Sequence, residues 1–292
     1  VEPYEKSFRV RYRIDGVLHE VMKPPLKLKN ALTSRIKIMS EMDISERRLP
    51  QDGRMNVSFK GNSIDIRVAT LPTKNGERVV LRFFSNRLTH AKIKDTALAD
   101  VHVNSLMEAI SHQSGLILVC GPTGSGKTTT IYSLLNTLVD RGLNIMTIED
   151  PVEYYLEGCT QIPIDHKQGN TFANILRSVL RQDPDVIFVG EIRDIETAQV
   201  AMQAAMTGHL VYSTVHSRDS MGAIFRLLDL GVESYLVANA INLIVAQRLC
   251  RALCMNCRRA VRLTSQQLLK MGRAADGMPS IFSPVGCGKC LG

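Results

Sequence analysis

Gly121-Pro122-Thr123-Gly124-Ser125-Gly126-Lys127-Thr128 is the stretch whose reading decides the fold. It follows the apolar run Gly115-Leu-Ile-Leu-Val-Cys120 and leads into a segment with Ile131, Leu134, Leu135 and Leu138 at helical spacing. Strand, glycine loop and helix in that order are the context a phosphate-binding loop needs. The glycines let successive backbone N–H groups face one anion, and the helix start adds the positive end of its dipole. In this reading the loop from Gly121 to Thr129 cradles phosphates, Lys127 reaches the β- and γ-phosphates, and the Thr128 hydroxyl holds Mg²⁺. The ligand expected is a nucleoside triphosphate.

Downstream, strands and helices alternate. Ile145 to Ile148 reads as a short apolar strand that ends in Glu149-Asp150 and Pro151. Thr171 caps a helix whose apolar residues Phe172, Ile175, Leu176, Val179 and Leu180 share one face, with Arg177 and Arg181 on the other. Asp185 to Gly190 is a buried-type strand ending at Glu191. Asp194 caps a further helix that stops at Gly208, and His209 to Val215 is a strand ending at His216. This alternation predicts a mostly parallel sheet with helices on both faces.

In open sheets of that kind the ligand lies beyond the C-terminal ends of the strands. Here those ends carry the glycine loop, Glu149-Asp150, Glu191 and His216. Phosphoryl transfer to water needs a metal, an oriented nucleophile and positive charge at the γ-phosphate. Glu191 suits the polarising of the attacking water. Either Glu149 or Asp150 could serve the Mg²⁺ through its water shell, and spacing does not choose between them. His216 could contact the γ-phosphate, report its loss, or make only a structural hydrogen bond. His209 reads as structural.

The chain has 292 residues, 45% hydrophobic and 5% aromatic with no Trp, as expected for an α/β core rich in Val, Ile and Leu. No stretch approaches the ~18 apolar residues of a spanning helix, and no signal-peptide pattern opens the sequence. Its start at Val1 rather than Met reads as a fragment of a longer protein. Residues 1–100 hold 20 basic and 12 acidic side chains, so the whole net charge of +8 sits in the first third. A nucleic-acid or acidic-membrane partner, arginines offered to a nucleotide bound elsewhere, and a solvated basic face all remain open from this asymmetry.

That first third reads as its own small α/β domain. Phe8, Val10, Tyr12 and Ile14 alternate with Arg9, Arg11 and Arg13, then Asp15-Gly16 turns the chain into Val17 to Val21. After Pro24-Pro25, Leu28, Leu32, Ile36 and Met39 recur at helical spacing. Pro50-Gln-Asp-Gly-Arg54 reads as a turn, followed by strands over Met55 to Phe59, Ser63 to Ala69 and Arg78 to Phe84, the last two joined at Lys74-Asn75-Gly76. His90 to Asp100 reads as linker.

At the other end, Cys254-Met-Asn-Cys257 and Cys287-Gly-Lys-Cys290 stand 29 residues apart. Each pair can offer two thiolates to one tetrahedral ion, giving a closed structural zinc site of Cys254, Cys257, Cys287 and Cys290, with a helix expected around Ser265 to Lys270. Two redox dithiols are the alternative. Cys120 reads as core, and Cys159 and Cys250 as inert. The architecture expected is α/β throughout. A small N-terminal α/β domain fills 1–90, a linker 91–102, a RecA-type P-loop domain with a mostly parallel sheet 103–249, and a zinc-binding module 250–292.

Together these motifs resemble the secretion ATPases of type II secretion systems and type IV pilus assembly, over essentially the whole chain. Gly121 to Thr129 resembles the family's Walker A, Thr147 to Glu153 its aspartate box, Arg181 to Arg193 its Walker B segment and Thr207 to His216 its histidine box. The resemblance implies a cytoplasmic ring hexamer, peripheral at the inner membrane. It would use ATP, Mg²⁺ and Zn²⁺ and work on pilin-like subunits through a membrane platform protein and a docking partner. It also implies arginines lent by the N-terminal domain to ATP between subunits: Arg54 and Arg67, with Arg78 and Arg82 as further candidates. The tetracysteine pair is similar to the assembly and secretion branches rather than to pilus retraction. Nucleic acid is not expected as a partner, because no aromatic-rich basic groove is present. A nucleic-acid translocase and an ATP-gated assembly module are the competing readings, and secretion is not separable from pilus assembly.

Overall fold

A computed structural model describes residues 1–14, 16–59, 61–84, 92–165, 168–270 and 281–290. Val1–Arg248 and Leu249–Gly292 form two compact units. Asp15 of the expected hairpin turn and residues 90–91 of the expected linker lie outside the described residues.

The first unit begins with two antiparallel three-stranded sheets. β1 (Glu2–Pro3), β2 (Phe8–Ile14) and β3 (Val17–Met22) make one, and β4 (Gln51–Phe59), β5 (Asn62–Thr73) and β6 (Gly76–Phe84) the other. Between them runs α1 (Lys29–Met39), with Ile36 buried against Met42, Ile66, Val68 and Val79. The turn expected at Pro50 to Arg54 is not there: β4 already starts at Gln51. Gly53 is a packing glycine, since a Cβ at this position would stand 2.3 Å from the Ser40 carbonyl oxygen. Glycine next to an aspartate reads as a turn, and only the tertiary contact shows otherwise. Lys37 of α1 is 1% exposed, ion-paired with Glu77, and donates to the Glu46 carbonyl (2.7 Å).

The rest of this unit is a six-stranded, wholly parallel sheet. Its strands are β7 (Gly115–Cys120), β8 (Ile145–Glu149), β9 (Cys159–Pro163), β10 (Val186–Val189), β11 (Leu210–Val215) and β12 (Ile241–Ala246), in the spatial order β12-β7-β11-β10-β8-β9. α2 (Asp100–Ala109) and α3 (Lys127–Val139) cover one face, where Ile117 and Val119 meet Leu106, Ile131 and Leu135. α4 (Phe172–Val179), α5 (Ile195–Met206), α6 (Ser220–Asp229) and α7 (Ser234–Ala240) cover the other, where Leu116, Leu118 and Cys120 meet Leu176, Ala201 and Leu227. Successive residues of β7 therefore serve opposite faces, as the period of two dictates. Thr171 and Asp194 cap their helices as expected, accepting from the N–H groups of Asn174 and Thr197. Ile93, within the stretch read as linker, is fully buried in the cluster with Val103 and Leu106.

In the second unit β13 (Arg259–Val261) and β14 (Ile281–Ser283) pair antiparallel, and α8 (Ser265–Lys270) stands where a helix was expected. The Arg258 guanidinium lies over the Phe282 ring, 4.4 Å from its centre. No described helix is long and apolar enough to cross a membrane.

Candidate functional site

The glycine loop leaves β7 at the C-terminal edge of the sheet and enters α3 through Gly126, whose φ of +87° an L side chain rarely adopts. Gly121 is confined from two sides: a Cβ there would lie 2.5 Å from the Gln247 carbonyl and 2.6 Å from the Ser125 hydroxyl. Lys127 donates from Nζ to the carbonyls of Gly121 (3.0 Å) and Pro122 (3.3 Å), so its ammonium already lies over the loop. Partial burial lowers the pKa of this amine, and the negative charge of Glu191 works in the opposite direction.

Glu191 follows β10 and Gly190, with a side chain only 13% exposed. Its carboxylate is ion-paired with Arg193 and lies 3.8 Å from Nε2 of His216, the residue after β11. Glu191 thus relates to two further expected site residues: its charge acts on Lys127, and His216 lies beside it. Arg193 was quoted in the sequence without a role; here it neutralises Glu191, and its own pKa is raised chiefly by that bond. His209 contacts the Ala204 carbonyl through Nδ1 (3.0 Å) at the end of α5.

Glu149 differs from what its strand-end position suggests. It is 3% exposed, and its carboxylate accepts from the Tyr132 hydroxyl, from Thr147 Oγ1 (2.7 Å) and from Gln161 Nε2 (3.1 Å). Burial raises its pKa against the pull of those donors. A carboxylate enclosed by three protein donors has little left for a hydrated metal. Asp150 is half-buried, and its charge acts on Arg193.

Arg54 and Arg67 stand directly opposite each other across β4 and β5, and Arg67 stands opposite Arg82 across β5 and β6. Directly opposed like charges weaken a sheet unless an anion answers them. One answer comes from the connection after β8: Arg67 Nη2 donates to the Val152 carbonyl (3.2 Å) and to Glu153 Oε2 (3.1 Å). A cleft of about 240 Å³ opens here, lined by Arg54, Arg67, Glu153 and Tyr155 among others. Arg78 instead joins Arg9 and Arg11 around the buried Glu2.

Gln247, just beyond β12, was invisible to motif reading. Its Nε2 donates to the Ser125 carbonyl (2.7 Å), its Oε1 accepts from Thr130 Oγ1 (2.9 Å), and its N–H donates to the Cys120 carbonyl (3.0 Å). It clips the loop between the strand before it and the helix after it.

In the second unit the sulfurs of Cys254, Cys257, Cys287 and Cys290 all lie within 4.8 Å of one another, and Cys290 is 3.7 Å from both Cys257 and Cys287. A tetrahedral zinc with ~2.3 Å Zn–S bonds has S···S edges of about 3.8 Å, so the donor set and its spacing fit that ion. Backbone N–H groups of Lys289 and Cys290 pull the Cys287 thiol down to about 6, toward the thiolate a metal takes.

A parallel sheet with a glycine loop at the C-terminal edge of β7, running straight into a helix, is the P-loop nucleotide-binding class of fold. Residues 1–292 match the family described as Type II/IV secretion system protein, and the chain belongs to that family. It is 47% identical over 290 residues to "Type II secretion system protein E" of Aeromonas hydrophila, covering 99% of this chain and 58% of that one. To "Type IV pilus assembly ATPase PilB" of Acinetobacter baylyi it is 48% identical over 294 residues, 99% of this chain and 51% of that one. The chain thus spans little more than half the length of these curated relatives. Among solved structures, that of the pilus retraction motor PilT with bound ADP superposes with a TM-score of 0.59 at 28% identity, over 82% of this chain and 71% of that one. The Yersinia pseudotuberculosis ATPase DotB shares the fold, with a TM-score of 0.66 at 24% identity over 82% and 69%.

Proposed function

We propose that this chain is the motor region of a cytoplasmic ATPase that couples ATP hydrolysis to the assembly of pilin-like subunits, in type II secretion or type IV pilus biogenesis. The observation that carries the reading is Glu191 at the C-terminal edge of the parallel sheet, 3.8 Å from His216 and with its charge acting on Lys127. Gly121 to Thr129 hold the phosphates, and Lys127 reaches the β- and γ-oxygens. Thr128 and Asp150 serve Mg²⁺, which supplies charge neutralisation on the phosphates when bound. Glu191 orients the attacking water, and His216 with Arg193 holds that carboxylate in place.

Arg54 and Arg67 complete the charge around a nucleotide shared between subunits of a homo-hexamer, which accounts for a basic first third. Cys254, Cys257, Cys287 and Cys290 hold a structural zinc. A platform protein of the inner membrane and a membrane-docking partner receive the motion, so the ATPase sits peripherally on that membrane. Assembly is favoured over retraction because relatives at 46–49% identity are secretion and pilus-assembly proteins, whereas the retraction motor stands at 28%.

The test is Mg-ATP hydrolysis against protein concentration, with and without single-stranded DNA. A specific rate that climbs with concentration and ignores DNA is expected. Strong stimulation by DNA would replace the motor with a translocase. In the same assay Glu191→Gln should retain ATP while turnover falls by roughly a hundredfold or more, and Lys127→Ala should lose nucleotide binding itself. Wild-type turnover in the Gln variant would remove Glu191 from its role.

A further inference from the structure

Arg67 rests on the connection between β8 and β9, residues 150–158, through the Val152 carbonyl and the Glu153 carboxylate. That connection carries no regular structure to fix it. A set of polar side chains does so instead. Gln161, in the middle of β9, spends its whole amide on the task. Its Nε2 donates to Glu149 Oε1 (3.1 Å) and to the Tyr154 carbonyl (3.1 Å), while its Oε1 accepts from the Leu156 N–H (2.8 Å). Tyr132, in the second turn of α3, donates its hydroxyl to the other oxygen of Glu149. The Tyr132 ring meets that of Tyr154 edge-on, with centroids 4.6 Å apart.

One buried carboxylate therefore joins the helix that begins at Lys127 to the segment that anchors Arg67. A buried charge is tolerated only while its donors stay in place, so Tyr132 and Gln161 cannot drift from Glu149 without a large loss. Satisfied networks of this kind rigidify what they join. The start of α3 and the 150–158 connection are thereby held as one body, although 21 residues of chain separate Tyr132 from Tyr154.

We infer that Tyr132 and Gln161 are positioning residues that, acting through Glu149, tie the seating of a nucleotide at the start of α3 to the position of Arg67. The inference rests on the reading of Gly121 to Thr129 as the nucleotide site and deepens it. An anion drawn against the N–H groups of α3 settles the helix. The helix carries the Tyr132 hydroxyl, the hydroxyl holds Glu149, and the connection follows with its two acceptors for Arg67. Neither residue acts on the phosphates directly, so their loss should appear in turnover and not in binding.

Two variants of the intact protein test this. Tyr132→Phe keeps the ring contact and deletes one donor; Gln161→Met keeps the length and deletes the amide. For each, the KM for ATP should stay within about twofold while kcat falls roughly three- to thirtyfold, the range of coupling between linked elements. Tyr132→Phe added to Arg67→Ala should lower kcat no further than Arg67→Ala alone. Amide hydrogen exchange supplies a readout free of turnover. On adding Mg-ADP, wild type should gain protection in both 121–131 and 150–158, and the variants only in 121–131. Equal protection at 150–158 in the variants, or losses that add to that of Arg67→Ala, would overturn the coupling. Absence of protection at 121–131 in wild type would instead strike the nucleotide site on which the inference stands. An unchanged rate in Arg67→Ala would remove that arginine from hydrolysis and leave exchange to decide the linkage.

Discussion

Gln247 is a neutral side chain outside every motif, yet it holds the loop that the glycine motif defines. Its amide bridges the Ser125 carbonyl and the Thr130 hydroxyl, 122 and 117 residues away in sequence. No local pattern could mark it, because the partners meet only when β12 pairs with β7. Truncation removes two hydrogen bonds, each worth about 1 kcal/mol net, from a loop whose fixed N–H groups are its means of binding. Gln247→Ala is therefore expected to weaken ATP binding about tenfold and to lower the melting temperature by a few degrees, as calorimetric titration and a thermal melt would read. An unchanged Kd would mean that the glycines and Gln247's backbone bond suffice. The same distinction governs Glu149. Its place after an apolar strand was legible, but its three donors come from α3, β8 and β9 and appear only in the folded chain.

At the scale of elements, the long apolar strands and capped helices were readable because periodicity and caps act within a few residues. β9 and β12 were not. β9 is a short edge strand ending at Pro163, and β12 follows α7 with no turn residue between Ala240 and Ile241. A continuous apolar run cannot show where helix gives way to strand. β1 is two residues long and is held by charge: Glu2 is buried among Arg11, Arg9 and Arg78. Its hydrogen bond from Arg11, joined by those charges, pulls the carboxyl from 4.5 down to about 2. A depressed carboxylate stabilises the fold above its unfolded pKa and loses that contribution as pH falls toward the folded one. Acid should therefore remove on the order of 2–3 kcal/mol between about pH 4.5 and 2. Melts of wild type and Glu2→Gln should differ above that window and converge below it; parallel profiles would show that the ion pairs contribute nothing.

At the scale of the whole molecule, the chain closes two kinds of centre in two compact units. The first buries its sheet on both faces and needs no ion to do so. Among its described residues the second has short strands, a short helix and no buried side chain, so its order must come from elsewhere. Four sulfurs at zinc spacing are the proposed source. Chelation, or Cys287→Ser, should release about one zinc per chain and speed amide exchange at Arg259–Val261, read by metal analysis and exchange together. Retained protection without metal would make the cysteines ornamental to the fold.

By itself the sequence determined the parallel α/β architecture, the glycine loop, the strand-end positions of Glu191 and His216, and the paired cysteine knuckles. Each of these rests on residues close in the chain, where period, cap and spacing carry the information. Only the tertiary structure decided that Gly53 is a packing glycine and not a turn, that Glu149 is enclosed, that Gln247 clips the loop, and that Arg67 lies against Glu153. Those facts depend on which strands become neighbours. Strand order follows from the burial of all faces at once, and no short stretch of sequence contains it.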